Sequence, residues 1–263
     1  MHIQEAFDMK YATVITVGNE ILKGRTINTN AAFIGNFLTY HGYQVRRGIV
    51  VMDDPDEICW AFKTALETSD LVVSSGGLGP TFDDMTVEAF AKCIGRDLMV
   101  NSDALAMIRK KYGTDQLTEQ RIKMAKMPSE CRPVENPVGT APGLLCNIDG
   151  KKIIITPGVP REMEALLEAM EKDIIIPDVH YYDTSIIISG VMESLFSPYV
   201  DKLMKEFEGI YVKSHPRNVE VKNPELEIEI SGYGENYTEL KRKIDDAIAR
   251  AMEYARSLGG SVI

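Results

Sequence analysis

The stretch "DLVVSSGGLGPTFDDMTVEAF", residues 70–90, decides the fold class because it joins three kinds of local structure. The apolar, β-branched run at 70–75 predicts a buried strand, and the apolar period from Val87 to Ile94 predicts a helix. The loop between them carries three glycines and two adjacent carboxylates. A strand that leads through a glycine loop into a helix is the unit from which parallel α/β sheets are built.

The same alternation precedes this stretch. Residues 11–17 and 43–51 are rich in β-branched residues and predict strands. Asn28 is placed to cap a helix that ends at Gly42, and the second helix, over 53–69, has Pro55 near its first turn. The β-α-β-α-β order predicts a mostly parallel sheet with helices on both faces, which is a three-layer α/β fold.

Three unusual loops each follow a predicted strand, at residues 18–30, 75–84 and 156–162. In parallel sheets, ligands bind at the edge formed by the carboxyl ends of the strands. We therefore expect the three loops to meet at one edge. Helices are predicted over 102–112 and 118–127, a hairpin is predicted at Asp149-Gly150, and a further helix begins at Pro160.

The pattern changes after Pro177. The expected order is a strand, a helix, two strands and a long helix, over 184–189, 193–207, 210–214, 225–231 and 236–258. This βαββα order predicts a second, smaller α+β domain. We predict domains at 1–176 and 177–263.

Composition limits the partners and the compartment. The chain has 263 residues, 44% of them hydrophobic, and a net charge of −10, which opposes binding to nucleic acid and to anionic membranes. The amino terminus lacks a basic segment followed by an apolar one, and no window approaches the ~20 apolar residues of a membrane helix. We expect a cytoplasmic protein.

The four cysteines, Cys59, Cys93, Cys131 and Cys146, form no C-x-x-C pair. Their scattered spacing suggests neither a zinc site nor a disulfide framework. We therefore expect four buried, reduced thiols.

The glycine loop predicts an anion site. It lacks the Gly-Lys-Ser/Thr of a P-loop, and Phe82 stands where a dinucleotide fingerprint requires its third glycine. Gly76, Gly77 and Gly79 allow positive φ and leave N–H groups uncovered, while the following helix adds the positive end of its dipole. A phosphate group fits such a loop.

The carboxylates Asp83 and Asp84 allow two interpretations. One of them could simply cap the following helix. Alternatively, they face the ligand, and then a divalent cation must offset their repulsion of phosphate. Glu20, directly after the first strand, points to the same edge. Glu20 and Asp84 are the metal ligands that we predict, with Asp83 as a third catalytic candidate.

The chain resembles a known family. Four blocks, "GNEILKGRTINTNAAFIG", "SSGGLGPTFDDMTVEA", "NPVGTAPGLL" and "PGVPREM", are similar in order and spacing to motifs of the amino-terminal domain of the CinA family. That domain belongs to the molybdopterin-binding-like superfamily. The second part, with "MESLFSPYV" and "VKSHPR", resembles the small KH-type domain that follows it in that family.

The resemblance implies a function and a set of residues. Similar proteins have been assigned a pyrophosphatase activity on ADP-ribose that requires Mg²⁺, Mn²⁺ or Co²⁺ together with K⁺. Asp84 matches an aspartate of the superfamily's adenylyltransferases, whereas Asp83 stands where those enzymes often have arginine. By the same resemblance, the nucleotide pocket includes Asn30, Thr140, Gly158 and Pro160. For Asn30, Gly158 and Pro160, an ordinary role in a helix turn or loop is the alternative.

Two other functions remain open. A protein that handles molybdopterin would bind a pterin without necessarily turning it over. An RNA-binding module would use the second domain, but that domain lacks a G-x-x-G loop with basic neighbours. The family's carboxyl-terminal deamidase domain is not expected after Ile263.

Basic residues offer secondary contacts. Lys23 and Arg25 share the loop of Glu20 and could neutralise a second phosphate, or could be ordinary solvated charges. Lys213, His215 and Arg217 form a compact cluster in the second domain that could contact a ligand. The uncovered sheet face expected there, and the resemblance, predict a homodimer.

Overall fold

The computed structural model describes residues 9–218 and 223–263. They form two compact units. The first unit consists of Lys10–Thr39 and Tyr43–Ile175, and the second of Tyr40–Gly42 and Ile176–Ile263. The part of the predicted first domain that precedes Met9 lies outside the described residues.

The first unit alternates strands and short helices along the chain. Its elements are β1 (Lys10–Val17), α1 (Asn19–Leu22), α2 (Thr29–Tyr40), β2 (Tyr43–Val51), α3 (Pro55–Thr68), β3 (Leu71–Ser75), α4 (Thr86–Cys93), β4 (Leu98–Val100), α5 (Ser102–Tyr112), α6 (Glu119–Lys123), β5 (Lys126–Pro128), β6 (Arg132–Val134), β7 (Gly143–Ile148), β8 (Lys151–Thr156), α7 (Pro160–Ala169) and α8 (Glu171–Ile174).

Six of these strands form one sheet in the order β2-β1-β3-β8-β7-β6. The first four are parallel to one another, and β7 and β6 are antiparallel, so the predicted mostly parallel sheet is confirmed. β1, β3 and β8 are adjacent. Because these are the strands that lead into the three unusual loops, the loops emerge from one edge, as predicted.

Both faces of the sheet are covered. Val14 and Ile15 are consecutive in β1, so their side chains point to opposite faces, yet they are 2% and 0% exposed. On the face of Ile15, the core includes Phe62 of α3 and Phe90 of α4, whose ring centroids are 4.7 Å apart. The three-layer α/β class is therefore confirmed.

The predicted helix starts and the hairpin are found. The Asn28 side chain accepts a hydrogen bond from the N–H of Ala31 at 3.1 Å, which caps α2. Pro55 and Pro160 open α3 and α7. The β7–β8 hairpin turns at Asp149 and Gly150, whose φ angles of 50° and 78° are left-handed.

The segment 118–127 was predicted wrongly as one helix. Only Glu119–Lys123 is helical, and Lys126–Pro128 is a strand paired with β4. Met124 and Met127 are both buried, which a helix or a strand could achieve. Pairing with β4 decides the outcome. The sequence also missed β4, β6 and the short helix α1 within the loop 18–30.

The prediction of four reduced thiols is wrong. Cys131 and Cys146 form a disulfide, whereas Cys59 and Cys93 are free. Arg132 lies opposite Leu145 in the β6–β7 pair, so the residues one step outward, Cys131 and Cys146, are also neighbours across the strands. The sequence separation of 15 hid this contact, because only the antiparallel pairing brings the two residues together.

The second unit has the predicted βαββα order and one further strand. Its elements are β9 (His180–Ser189), α9 (Glu193–Glu206), β10 (Ile210–Pro216), β11 (Glu225–Gly234), α10 (Tyr237–Ser257) and β12 (Ser261–Val262). The sheet order is β10-β11-β9-β12, and all pairs are antiparallel. In the part of the chain that the structure describes, no helix has the length and apolar character needed to span a membrane.

The disulfide gives a prediction for stability. Closing a loop of 15 residues should stabilise the folded chain by about 3 kcal/mol, because the cross-link restricts the unfolded chain. Urea unfolding of the wild-type protein should show this difference between non-reducing and reducing buffer. In a Cys131→Ala/Cys146→Ala variant, reductant should have no effect. If all four cysteines of the wild-type chain react with a thiol reagent in denaturant without reductant, the disulfide is absent.

Candidate functional site

The site is built around Gly76, at the carboxyl end of β3. Its φ of 109° is accessible to glycine and strained for other residues. A Cβ atom there would lie 2.2 Å from the carbonyl oxygen of Val17, at the end of β1. On the other side, the N–H of Gly76 donates to the carbonyl of Thr156, at the end of β8, at 3.0 Å. Gly76 is therefore enclosed by the ends of the two neighbouring strands.

Thr86, the first residue of α4, fixes the loop that follows. Its hydroxyl donates to the carbonyl of Gly76 at 2.8 Å, and its N–H donates to the carbonyl of Gly77 at 3.2 Å. Thr86 is fully buried. A Cβ atom on Gly77 would lie 2.1 Å from this hydroxyl oxygen, and the φ of Gly77 is 72°. The glycines thus allow the amino end of α4 to dock directly against the end of β3.

Asp84 closes the loop from within. Its Oδ2 accepts a hydrogen bond from the N–H of Thr81 at 2.9 Å and lies 2.5 Å from the Thr81 hydroxyl, whose single hydrogen is shared between Asp84 and Asp83. A Cβ atom on Gly79 would lie 2.4 Å from the same oxygen. The predicted capping role of Asp83 or Asp84 is wrong, since Met85 occupies the N-cap position and no side chain caps α4. The carboxylate of Asp84 is used to shape the loop.

A cavity of about 200 Å³ opens beside this loop and is called here the glycine-loop cavity. Gly77, Gly79 and Asp84 form one side, and Lys123 and Lys126 form another. The remaining lining is mostly apolar and consists of Leu78, Val87, Glu88, Leu98, Met124, Met127, Pro142 and Leu144. The cavity therefore combines charged groups of both signs with an apolar wall.

Asp83 lies on the exposed rim and does not line this cavity. The hydrogen bond from the hydroxyl of Thr81 holds the pKa of Asp83 below its usual value, assisted by the backbone N–H of Asp83 and by the charge of Lys123. Lys123 also donates a hydrogen bond to the carbonyl of Thr81. The loop therefore carries ionised Asp83 on its outer side and Asp84 on its inner side.

A second cavity, of about 80 Å³, contains Glu20 and is called here the Glu20 cavity. Asn30, Ser75, Gly158 and Pro160 also line it. The Nδ2 of Asn30 donates to the hydroxyl of Ser75 at 2.7 Å and to the carbonyl of Gly158 at 2.9 Å. Its Oδ1 is buried and has no hydrogen-bond partner among the described residues. That oxygen is free to accept a hydrogen bond from a ligand.

The structure does not bring all the predicted residues to one place. Glu20, Asn30, Gly158 and Pro160 share the Glu20 cavity, whereas Gly77, Gly79 and Asp84 share the glycine-loop cavity. Within residues 9–218 and 223–263, no three His, Cys, Asp or Glu side chains are arranged to hold a metal ion. Neither cavity is lined by both Glu20 and Asp84. The predicted sharing of one cation by these two carboxylates is therefore not seen in either cavity.

Thr140 lies in the loop between β6 and β7 and lines neither cavity itself, although Pro142 of the same loop lines the glycine-loop cavity. Asn136, which is 2% exposed, holds this loop together. Its side-chain oxygen accepts from the N–H groups of Val138 and Gly139, at 3.1 and 2.7 Å. Its Nδ2 donates to the Oε2 of Glu162 in α7 at 2.8 Å. The loop that carries Thr140 is thus fastened to the helix that follows Gly158.

The predicted basic contacts lie elsewhere. Lys23 and Arg25 are exposed and do not line the Glu20 cavity. Lys213, His215 and Arg217 lie on or just after β10 in the second unit. The ring of His215 is 3.2 Å from the carboxylate of Glu229, and Lys213 lies opposite Glu229 in the β10–β11 register. Acidic neighbours therefore offset this cluster.

Sequence reasoning missed Thr86, Glu88, Asn136 and Lys123. A threonine at the first turn of the helix after the glycine loop was a usable signal for Thr86, since hydroxyl side chains bond to nearby backbone groups at helix starts. Glu88 was also accessible, because it lies four residues after Asp84. Asn136 opens the block "NPVGTAPGLL", so its position in that block was a usable signal, whereas Lys123 comes from a distant segment and no local pattern places it at the site.

Comparison with known proteins agrees with this architecture. Residues 13–176 match the family described as "Probable molybdopterin binding domain". The chain is 79% identical over 254 residues to the protein Ta0487 of Thermoplasma acidophilum, covering 97% of this chain and 99% of that one. It is 60% identical over 250 residues to the protein TV0584 of Thermoplasma volcanium, covering 95% and 98%.

A solved structure is also similar. The crystal structure of "the protein CinA with unknown function" from Thermoplasma acidophilum has 80% sequence identity and a TM-score of 0.62, and the match covers 64% of this chain and 99% of that one. The matched family region contains the six-stranded sheet except for the first three residues of β1, together with the glycine loop and both cavities. The chain belongs to the family of the probable molybdopterin-binding domain.

Proposed function

We propose that the first unit binds molybdopterin or a close phosphorylated relative in the glycine-loop cavity. The observation that carries this proposal is the pair of hydrogen bonds from Thr86 to the carbonyls of Gly76 and Gly77, which docks the start of α4 against the end of β3. It leaves the glycine loop lining a cavity of about 200 Å³ at the carboxyl edge of the sheet. The description of the family to which the chain belongs, "Probable molybdopterin binding domain", names the same ligand.

The cavity has two parts that suit the two parts of such a ligand. The glycines at 77 and 79 have no side chains to cover the nearby backbone, and α4, a helix of 8 residues, begins beside them with its positive end. These features favour a phosphate. The apolar wall of Leu98, Met127 and Leu144 favours a flat ring. A phosphorylated pterin would use both.

The charges of the cavity suit a divalent cation as a third component. Asp84 and Glu88 both line it, and Mg²⁺ is commonly held by one or two carboxylates together with phosphate oxygens. Asp84 and Glu88 would hold the cation, with the Thr81 hydrogen bonds orienting Asp84. When bound, the cation would supply positive charge that offsets the repulsion between these carboxylates and a phosphate.

Hydrolysis of a diphosphate such as ADP-ribose is the second candidate function. The observation in its favour is that the same two carboxylates share a cavity with Lys123 and Lys126, so a bound diphosphate would meet groups of both signs. Positioning and neutralisation of charge supply most of the catalysis in reactions at phosphorus. In this function Gly77 and Gly79 would hold the phosphates, and Asp84 would hold the cation, whose charge would make the phosphorus easier for water to attack.

Binding of RNA by the second unit receives less support. On β11, Glu225, Glu227 and Glu229 alternate along the strand, and side chains two apart face the same side of a sheet. Lys213 and His215 lie opposite Glu229 and Glu227. This arrangement gives the sheet acidic groups beside its basic ones, which weakens attraction to phosphates.

One experiment separates the first two functions. Molybdopterin and ADP-ribose are titrated against the full chain by calorimetry, with and without Mg²⁺, and release of AMP is measured with Mg²⁺, Mn²⁺ or Co²⁺ in the presence of K⁺. Tight binding of molybdopterin without release of AMP from ADP-ribose supports the first function. Metal-dependent release of AMP supports the second. Failure to bind either compound contradicts both.

The role of Asp84 can be tested because replacing it should change ligand binding in opposite directions with and without a divalent cation. Without divalent cations, Asp84→Asn should strengthen binding of a phosphorylated ligand, because a repelling charge is removed. With Mg²⁺ it should weaken binding or slow turnover by about 100-fold, the effect typical of removing one electrostatic contact in an active site. Calorimetry and initial rates measure these changes.

Asp83→Asn is the matched control for this test, since Asp83 is adjacent in sequence but does not line the cavity. Because the asparagine oxygen can still accept from Thr81, it should change both measurements much less than Asp84→Asn does. Equal effects of the two substitutions would mean that neither carboxylate acts from inside the cavity.

The glycine loop can be tested separately from folding. A Cβ atom on Gly79 would displace the Asp84 carboxylate, so Gly79→Ala should reduce ligand affinity by about tenfold or more, the equivalent of one charge-assisted hydrogen bond. Gly24→Ala is the control. Gly24 has a φ of 67° but open space around it, so its replacement should cost about 1 kcal/mol of stability and no affinity. Normal binding by Gly79→Ala would place the phosphate elsewhere.

A further inference from the structure

Lys123 lies on the side of the glycine-loop cavity opposite the glycine loop, and its side chain reaches across to contact that loop. It is half-buried, it lines the cavity, and its ammonium group donates a hydrogen bond to the carbonyl of Thr81. Thr81 in turn donates from its N–H to Asp84, and its hydroxyl lies within hydrogen-bond distance of both Asp84 and Asp83. One exposed residue of the loop is thus held by a cation on one side and by a carboxylate on the other.

The segment that carries Lys123 is firmly anchored. The guanidinium of Arg121 lies 3.6 Å from the ring centroid of Tyr112, which ties α6 to α5. Directly after Lys123, Met124 and Ala125 are buried, and the carbonyl of Ala125 accepts from the N–H of Asn101 at 2.9 Å. The ammonium group therefore extends from a fixed base, and its own flexible side chain can still change partner.

The hydrogen-bond acceptor of Lys123 in this structure is a backbone carbonyl, and the Asp83 carboxylate interacts with Lys123 only through its charge, from the exposed side of the loop. A backbone carbonyl carries no net charge, whereas a phosphate oxygen is anionic, so a hydrogen bond from the ammonium group to phosphate adds the attraction between opposite charges. A lysine that binds phosphate in a cavity acts as a point charge with three donors. In a chain with a net charge of −10, such local positive charge is what an anionic ligand requires.

We propose that Lys123 binds the phosphate or diphosphate of the ligand by moving its ammonium group from the carbonyl of Thr81 to an anionic oxygen. This inference rests on the proposed function and adds a residue to it. Lys126, on the same wall, supplies a second, more exposed charge. Ligand binding would then release the loop at Thr81 on one side while Asp84 still holds it on the other.

The test measures binding of inorganic pyrophosphate and of AMP to the full chain by calorimetry, at low and high salt, for three variants. Lys123→Gln should bind both probes about tenfold more weakly than the wild type, because it loses a charged hydrogen bond. Its affinity should also depend less on salt, because one screened attraction is gone. Lys123→Arg should bind nearly as well as the wild type.

Lys243→Gln is the matched control. Lys243 also donates to a backbone carbonyl, that of Glu208 at 3.1 Å, but it belongs to the second unit and does not line the cavity. It should bind both probes normally. Thermal unfolding of all three variants should match that of the wild type, which shows that binding is measured on folded protein.

The outcomes separate the two proposals. If Gly79→Ala loses affinity but Lys123→Gln does not, Lys123 is not a ligand contact and the proposed function stands. If Lys123→Arg loses as much as Lys123→Gln, or if the salt dependence is unchanged, the residue only shapes the loop through Thr81 and the inference is wrong. If the wild-type chain binds molybdopterin or ADP-ribose but neither pyrophosphate nor AMP, this inference fails and the proposed function stands.

Discussion

The close approach of Gly76 to the carbonyl of Val17 is the constraint on which the site depends. Residue 76 must pass between the ends of β1 and β8, and only a residue without a Cβ can do so. The hydroxyl of Thr86 then bonds to the Gly76 carbonyl and brings α4 to the end of β3. A backbone contact between neighbouring strands thus determines where a helix terminus, and its partial positive charge, is placed.

The docking of α4 at Gly76 also divides the carboxyl edge of the sheet into two separate cavities. Ser75 lines the Glu20 cavity and Gly77 lines the glycine-loop cavity, although only one residue separates them. Each cavity therefore contains at least one carboxylate, but the groups around that carboxylate differ between the two cavities. Asp84 lies with Glu88 and two lysines, whereas Glu20 lies with the Asn30 amide and the turn at Gly158. The first combination suits a phosphate with a cation, and the second suits neutral polar groups of a ligand.

The basic wall of the glycine-loop cavity and part of its apolar wall come from the small β4–β5 pair and the adjoining α6, while Leu144 of β7 completes the apolar wall. These elements are short, and the buried residues Met124, Ala125 and Met127 anchor them to the core of the first unit. The cavity therefore depends on the packing of residues more than 30 positions after the glycine loop, such as Lys123. Changes in that packing would alter the cavity without touching any residue of the loop.

The sequence by itself determined the parallel α/β sheet, the helix starts at Asn28, Pro55 and Pro160, and the glycine loop, because each depends on local periodicity, capping or backbone freedom. Tertiary structure decided what depends on pairing between distant segments. Antiparallel pairing of β6 with β7 made a disulfide of two cysteines with no motif spacing. Pairing with β4 turned 126–128 from a predicted helix into a strand, next to Lys123 on the cavity wall. Glu20 and Asp84 lie in different cavities, although both follow strands that end at the same edge of the sheet. A shared edge fixes the direction in which the loops leave the sheet, but not the cavity that each side chain enters.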